Sequence, residues 1–455
     1  MSTENRETER LPLDPLPLEQ REKPGVNGNC GLSVLDAVFP VPNLDVDAGD
    51  IPSSRALVSE WDIFCIGLSI LMHLLDCLAD LNLAVNYFMR GDYAYLIWTC
   101  TFIFTPSFVN IVISIQISAQ DRQQNNQEDE KDKSSWSKLV KIWLLWPIIL
   151  VFQLAPVLHH LDNLTYAGKS YRARKKGNQS KQKKYYLKML KEEQDIALMR
   201  VLECFLEAAP HQALQLTIMM MHYQSSPEVN FHFLNQTLSI ASSLVGMGWA
   251  MSSYHRSIRK AQWDKENISA VGNWMQFFWH FFVTISRVVA IAAAVTILPL
   301  YAGIAIVIHW LFMFIWIYLE PSGLNEFCRD RSQPPHRGPT IVESLKSHLL
   351  GMTFGLVYIF TYFKLIDGPT YWKHAIYYSL CFGENVVAAV SWIFLGDDLA
   401  IIRWYYELVP ATCIAPFILG IVVMIVYYKG FHPSMKNMIN RIDQPTEENS
   451  RQLAI

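Results

Sequence analysis

The chain has 455 residues, 51% of them hydrophobic and only 17% charged, with a formal net charge of −3 and a mean hydropathy of +0.15. A soluble protein carries about 25% charged residues, so a soluble multidomain protein is excluded, and the near-neutral balance gives no electrostatic footprint for nucleic acid. Eight cysteines, six of them (Cys65, Cys77, Cys100, Cys204, Cys381, Cys413) in apolar segments without C-x-x-C spacing, argue against a zinc centre or a disulfide framework.

Residues 1–60 are Pro-rich, with eleven Asp/Glu against five Lys/Arg, and read as a disordered cytoplasmic tail. They hold no central apolar stretch, so no secretory signal peptide is expected and the first span serves as its own insertion signal. Ten apolar stretches follow, at about 61–85, 93–118, 139–161, 196–222, 232–253, 274–298, 301–320, 345–366, 374–395 and 404–428, several of them reaching the roughly 20 residues a membrane-crossing helix needs. The third contains Pro147 and Pro156 and the eighth is interrupted by Gly351, Gly355 and Lys364. Both read as re-entrant hairpins. Eight crossings then remain, with both termini inside. Segment 162–193, with ten Lys/Arg, falls on the cytoplasmic side together with 119–137, 254–273 and 321–340, leaving Arg90 and Arg403 outside, as the positive-inside rule requires.

The pattern repeats: 61–253 and 274–428 each read as span, span, hairpin, span, span. Cys204-Phe205-Leu206-Glu207 in the first has a counterpart in Cys381-Phe382-Gly383-Glu384 of the second. The expected fold is therefore an all-α polytopic membrane protein of two pseudo-symmetric repeats related by an axis along the membrane normal, closed by a cytoplasmic tail at 429–455.

Asp62, Asp76 and Asp80 share one stripe of the first span, roughly 27 Å long by helical rise. Arg200, Glu203 and Glu207 share one face of the fourth stretch, followed by Pro210. Arg287 lies mid-way along 274–298 and Glu384-Asn385 within 374–395. Each ionised group at the bilayer centre costs about 2.5–3.5 kcal/mol, so lipid-facing positions are not expected. Two readings stand: buried ion pairs that fix helix register, or a polar path for something charged.

At these residues the sequence resembles the XK-related (Xkr) family of membrane proteins, whose members include phospholipid scramblases. The resemblance spans about residues 59–430 and is carried by Asp62, Asp76 and Asp80, by Arg200-Val-Leu-Glu203-Cys-Phe-Leu-Glu207-Ala-Ala-Pro210-His211-Gln212, and by Glu384-Asn385; His211 departs from the family's usual Pro-Gln. It implies a stair of charged residues, Asp62, Asp76, Asp80, Arg200, Glu203, Glu207, Arg287 and Glu384, along which lipid headgroups pass. Movement would be passive, since no Gly-x-x-x-x-Gly-Lys-Ser/Thr phosphate loop is present, and no cofactor, metal or enzymatic chemistry is expected. It also implies activation by caspase cleavage in a terminal tail. The candidates are Asp47 and Asp50 within Leu44-Asp45-Val46-Asp47-Ala48-Gly49-Asp50, and Asp443 near the carboxyl end. The expected setting is the plasma membrane, with phospholipids, a caspase and a lipid-transfer protein at 162–193 as partners. The alternatives are a non-catalytic scaffold or receptor for a lipid-transfer protein and a passive solute transporter. Asn163, Asn178, Asn235 and Asn267 match the glycosylation pattern but read as false positives on this topology, and His159-His160 reads as a solvated pair at the cytoplasmic interface.

Overall fold

The computed structural model describes residues 57–125, 149–150, 153–222, 231–261, 267–319, 324, 328, 338, 340–363, 371–396 and 405–432. Every regular element among them is helical: α1 (Glu60–Arg90), α2 (Tyr93–Asn125), α3 (Ala155–Lys175), α4 (Gln179–Glu203), a π-helical segment (Cys204–Ala208), α5 (Ala209–His222), α6 (Phe231–Ala261), α7 (Ala270–Ile297), α8 (Pro299–Leu319), α9 (Ile341–Val357), α10 (Tyr371–Leu395) and α11 (Leu408–Val426), which ends in a second π segment, Tyr427–Phe431. Six helices among the described residues are long and apolar enough to cross a membrane: α1, α2 over Tyr93–Ser118, α7, α8, α10, and α11 through Phe431.

The fourth and fifth apolar stretches, 196–222 and 232–253, both read from sequence as crossings, are not among those six. α4, the π segment and α5 run without a break from 179 to 222, roughly 65 Å at 1.5 Å per residue. Leu198, Met199, Val201, Leu202, Phe205 and Ala209 on it are at most 1% exposed. A helix surrounded by other helices need not be apolar all round, so it tolerates Arg200, Glu203 and Glu207 that a lipid-surrounded helix would not. The core forms around this helix, joined by Met247, Met251 and Tyr254 of α6, Trp279 and Val283 of α7, and Tyr377 and Cys381 of α10. α11 lies close against α7 because Gly420 lacks a side chain there: a Cβ at that position would stand 2.8 Å from Val283 Cγ2 and 3.1 Å from the Trp279 carbonyl oxygen.

Segment 162–193, read from sequence as a basic loop, is two antiparallel helices. α3 ends at Gly177, whose φ of 68° suits glycine and closes the turn through Gly177 N–H to Arg174 O (2.9 Å) and Asn178 N–H to Ala173 O (3.0 Å). Asn178 then caps α4 by accepting from Lys181 N–H, which accounts for one of the four glycosylation-like sites. Asn163, another, is buried. Loops and amphipathic helices rich in Lys share a composition, and the Gly-Asn cap pair is the signal that separates them.

Candidate functional site

The intramembrane charges fall into two sets by their hydrogen bonds and ion pairs. The first is gathered by α1, α2, the residues leading into α3, and the α4–π–α5 helix. Glu203 accepts from Asn110 Nδ2 at 3.3 Å and lies 3.8 Å from His73 Nδ1 and 3.7 Å from Arg200 Nη1. Glu207, in the π segment, accepts from Gln153 Nε2 at 3.1 Å, and its carboxyl is within hydrogen-bonding reach of Asp80. Asp76 acts electrostatically on Arg200 and Glu203. Glu203 and Glu207 are buried, Asp80 is half-buried and Asp76 exposed, and the Arg200 side chain is 45% exposed. Asp76 and Arg200 are thus open on the flank of α1. α1 packs along one side only, so its aspartates border an open groove rather than a closed core. Asp62 stands apart from this groove: with Ser59 it forms a capping box, accepting from Ser59 N–H and Oγ, each at 2.8 Å, and so closes the start of α1.

The second set is nearly saturated. Arg287 of α7, 2% exposed, donates from Nε and Nη2 to Ile359 O (3.1 and 3.0 Å), from Nη1 to Cys381 O (3.3 Å) and Asn385 Oδ1 (2.9 Å), and from Nη2 to Glu384 Oε2 (2.8 Å). That is five bonds, as many as a guanidinium has N–H donors. His309 bridges Glu384 and the backbone, with Nδ1 2.7 Å from Glu384 Oε1 and Nε2 3.1 Å from Tyr358 O. Asn385 Nδ2 reaches Ser286 Oγ (2.8 Å) and Cys413 O (3.2 Å). Glu384 keeps one side open to a cavity of about 490 Å³ lined also by Tyr301, His309 and Ala305.

His73, Asn110, Gln153 and His309 were not singled out from sequence. His73 precedes Asp76 by three and Asp80 by seven residues, on the aspartate face of its helix; that spacing was available. Gln153 becomes legible only once the chain turns at 153–154. Asp47, Asp50 and Asp443 lie outside the described residues.

A separate cluster lies along α3 and α4. His159, read from sequence as solvated, is 1% exposed, with Nε2 2.9 Å from Ser114 Oγ and Nδ1 2.8 Å from Glu192 Oε2. The packing of α3 between α2 and α4 removes it from water. Glu192, Asp195 and His159 bring potential ligand atoms within 4.8 Å of one another, but both His159 nitrogens already have partners, the arrangement of a buried pair that ties three helices together.

The family model for XK-related proteins matches residues 64–433. The chain is also similar to two proteins named Cell death abnormality protein 8. That of Caenorhabditis briggsae is 25% identical over 413 residues, covering 89% of this chain and 85% of the relative; that of Caenorhabditis elegans is 26% identical over 394 residues, covering 85% and 82%. With a match that takes in both charged sets and every helix from the first span onward, this chain belongs to the XK-related family.

Proposed function

We propose that the protein is a phospholipid scramblase, moving phosphatidylserine and other phospholipids passively between leaflets of the plasma membrane during cell death. The observation that carries this reading is the open acidic groove of the first half. Asp76, Asp80, Glu203 and Glu207 converge on it with Arg200 at its edge, and carboxyls placed so close together repel until a proton or a cation comes between them. A lipid headgroup brings an ammonium for the acids and a phosphate for the arginine while its acyl tails stay outside in lipid. The groove thereby offsets part of the cost of carrying a charged headgroup across a medium that cannot solvate it. No step needs ATP. The names of the relatives support the link to cell death.

In this reading Asp62 marks the inner end of the path, and the Arg287–Glu384 network braces the second half beside it. The apolar helices are completed to eight crossings by the α4–π–α5 helix and α6, the two hairpins turn near residues 153 and 358–363, and both termini are cytoplasmic. The acidic tail restrains transport until a caspase cuts after Asp47 or Asp50, with Asp443 the poorer site. The basic pair α3–α4 meets anionic inner-leaflet lipid, worth about 1 kcal/mol per close Lys or Arg, or a lipid-transfer protein.

The test is the purified protein in liposomes with fluorescent lipid in both leaflets and dithionite outside. Quenching past one half after caspase treatment is expected. Quenching held at one half with intact and cleaved protein alike removes scrambling and favours a scaffold; solute flux without lipid movement favours a transporter. Sequencing the new amino terminus locates the cut, and a cut after Asp443 alone rejects the amino-terminal assignment.

A further inference from the structure

The residue that closes the acidic groove is Gln153. It is the one residue other than glycine with a left-handed backbone among the described residues, at φ 49°, and it is buried at 6% exposure. Such a conformation is uncommon for a side chain of this size, and where it persists the surroundings hold it there. The surroundings here are the groove. The Gln153 carbonyl accepts from His73 Nε2 at 3.0 Å, its Oε1 faces the Cys77 thiol at 3.9 Å, and its Nε2 donates to Glu207 Oε1 at 3.1 Å. One residue at the entry to α3 thus grips α1 with its backbone and the π segment with its side chain. The turn beneath it is fixed by Leu154 N–H to Ile149 O at 2.9 Å and by Ser107 Oγ to Leu150 O at 2.8 Å.

The other half is held differently. There the chain at 358–359 offers backbone carbonyls to His309 and to the Arg287 guanidinium, an ionic anchor inside a saturated network. In the first half a neutral amide donates to the corresponding carboxylate, with Asp80 beside it, and that carboxylate sits within a π segment, a helix form that is itself a short departure from the α ladder and is found often at functional sites.

We propose that Gln153 is a positioning residue that keeps Glu207 occupied in the full-length chain: its amide takes, on Glu207, the place of a headgroup ammonium, and its release opens the groove. This rests on the lipid-path reading above.

The variants are Gln153→Met, which keeps the length without the amide donor, and Gln153→Gly, which removes the side chain and accepts the left-handed backbone freely. Two measurements are made on full-length protein: lipid quenching in liposomes, and hydrogen exchange of segments 153–158 and 204–208 in lipid nanodiscs. Expected are a rise of at least fivefold in the rate for uncleaved Gln153→Met, at least tenfold faster exchange in both segments, and no further acceleration of exchange by Gln153→Met in a Glu207→Gln background, a coupling that a general loss of packing would not produce. Unchanged exchange and unchanged rate in both variants, with cleaved parent protein active, overturn the latch and leave the lipid path standing. Faster exchange with no lipid movement in any sample, cleaved parent included, supports the latch as a contact and overturns the lipid path.

Discussion

Removing Arg287 perturbs the most heavily bonded side chain among the described residues. Arg287→Met keeps much of the side chain's length and deletes all five hydrogen bonds, leaving the Glu384 carboxylate with His309 alone and the Ile359 and Cys381 carbonyls without that donor. Breaking a buried pair from one side costs about 3–5 kcal/mol when the charge left behind stays fully buried; Glu384 is 33% exposed, so the lower end, about 3 kcal/mol, applies. That is a change of roughly two orders of magnitude in the folded-to-unfolded ratio. The double variant Arg287→Met/Glu384→Met removes both charges and should recover most of the loss, since apolar replacement of a whole buried pair is often close to neutral. Equilibrium unfolding in mixed dodecylmaltoside and SDS micelles, followed by tryptophan fluorescence, reads both. A single variant within about 1 kcal/mol of the parent would show that the network carries no structural weight. A double variant as unstable as the single would refute the reasoning that the residual charge, rather than lost contacts, sets the cost.

Other consequences are as specific. Gly420→Ala places a methyl 2.8 Å from Val283 Cγ2 and 3.2 Å from the Val283 backbone nitrogen; with backbone on one side the helices must part, at about 1–3 kcal/mol, read as a lower melting temperature in detergent. Ser59→Ala removes the hydroxyl half of the capping box at the start of α1 and should cost about 1 kcal/mol, with unfolding in the same mixed micelles as the measure. Lys260 lies at the end of α6, beyond the apolar stretch that ends at 253, and pairs with Glu193 at 3.0 Å. Burial opposes its charge, but Glu193 and Tyr186 together outweigh burial and raise its pKa. The pair's contribution is therefore full below the unfolded lysine value and fades as pH rises through the higher folded one. Lys260→Met should flatten the alkaline limb of a melting-temperature profile and leave neutral pH little changed; an identical alkaline limb would remove the pair from the account.

How far the sequence reached follows from what each signal depends on. The stripe of Asp76 and Asp80 and the face of Arg200, Glu203 and Glu207 were readable, because helical periodicity places residues on a common side without knowledge of the neighbours. Membership of the family was readable at the same residues. What the charges pair with was not, since His73, Asn110, Gln153 and His309 come from other helices and no spacing rule links them. The α3–α4 pair was taken as a loop because its Lys and Arg dominate composition, although Gly177-Asn178 marks a helix end followed by a helix start. Asp76 is exposed on the flank of α1 beside Arg200 and Glu203, a placement that periodicity alone does not give, since it depends on what packs against the helix.

The central claim is that lipid passes along the acidic groove of the first half while the Arg287 network frames the second. Dithionite quenching in liposomes, with caspase-cleaved protein, tests it on two variants side by side. With Glu203→Gln/Glu207→Gln, folded by its unfolding curve, quenching should stop at one half; with Arg287→Met/Glu384→Met it should pass one half as the parent's does. Full quenching with the glutamine pair, or arrest with the methionine pair alone, would contradict the account.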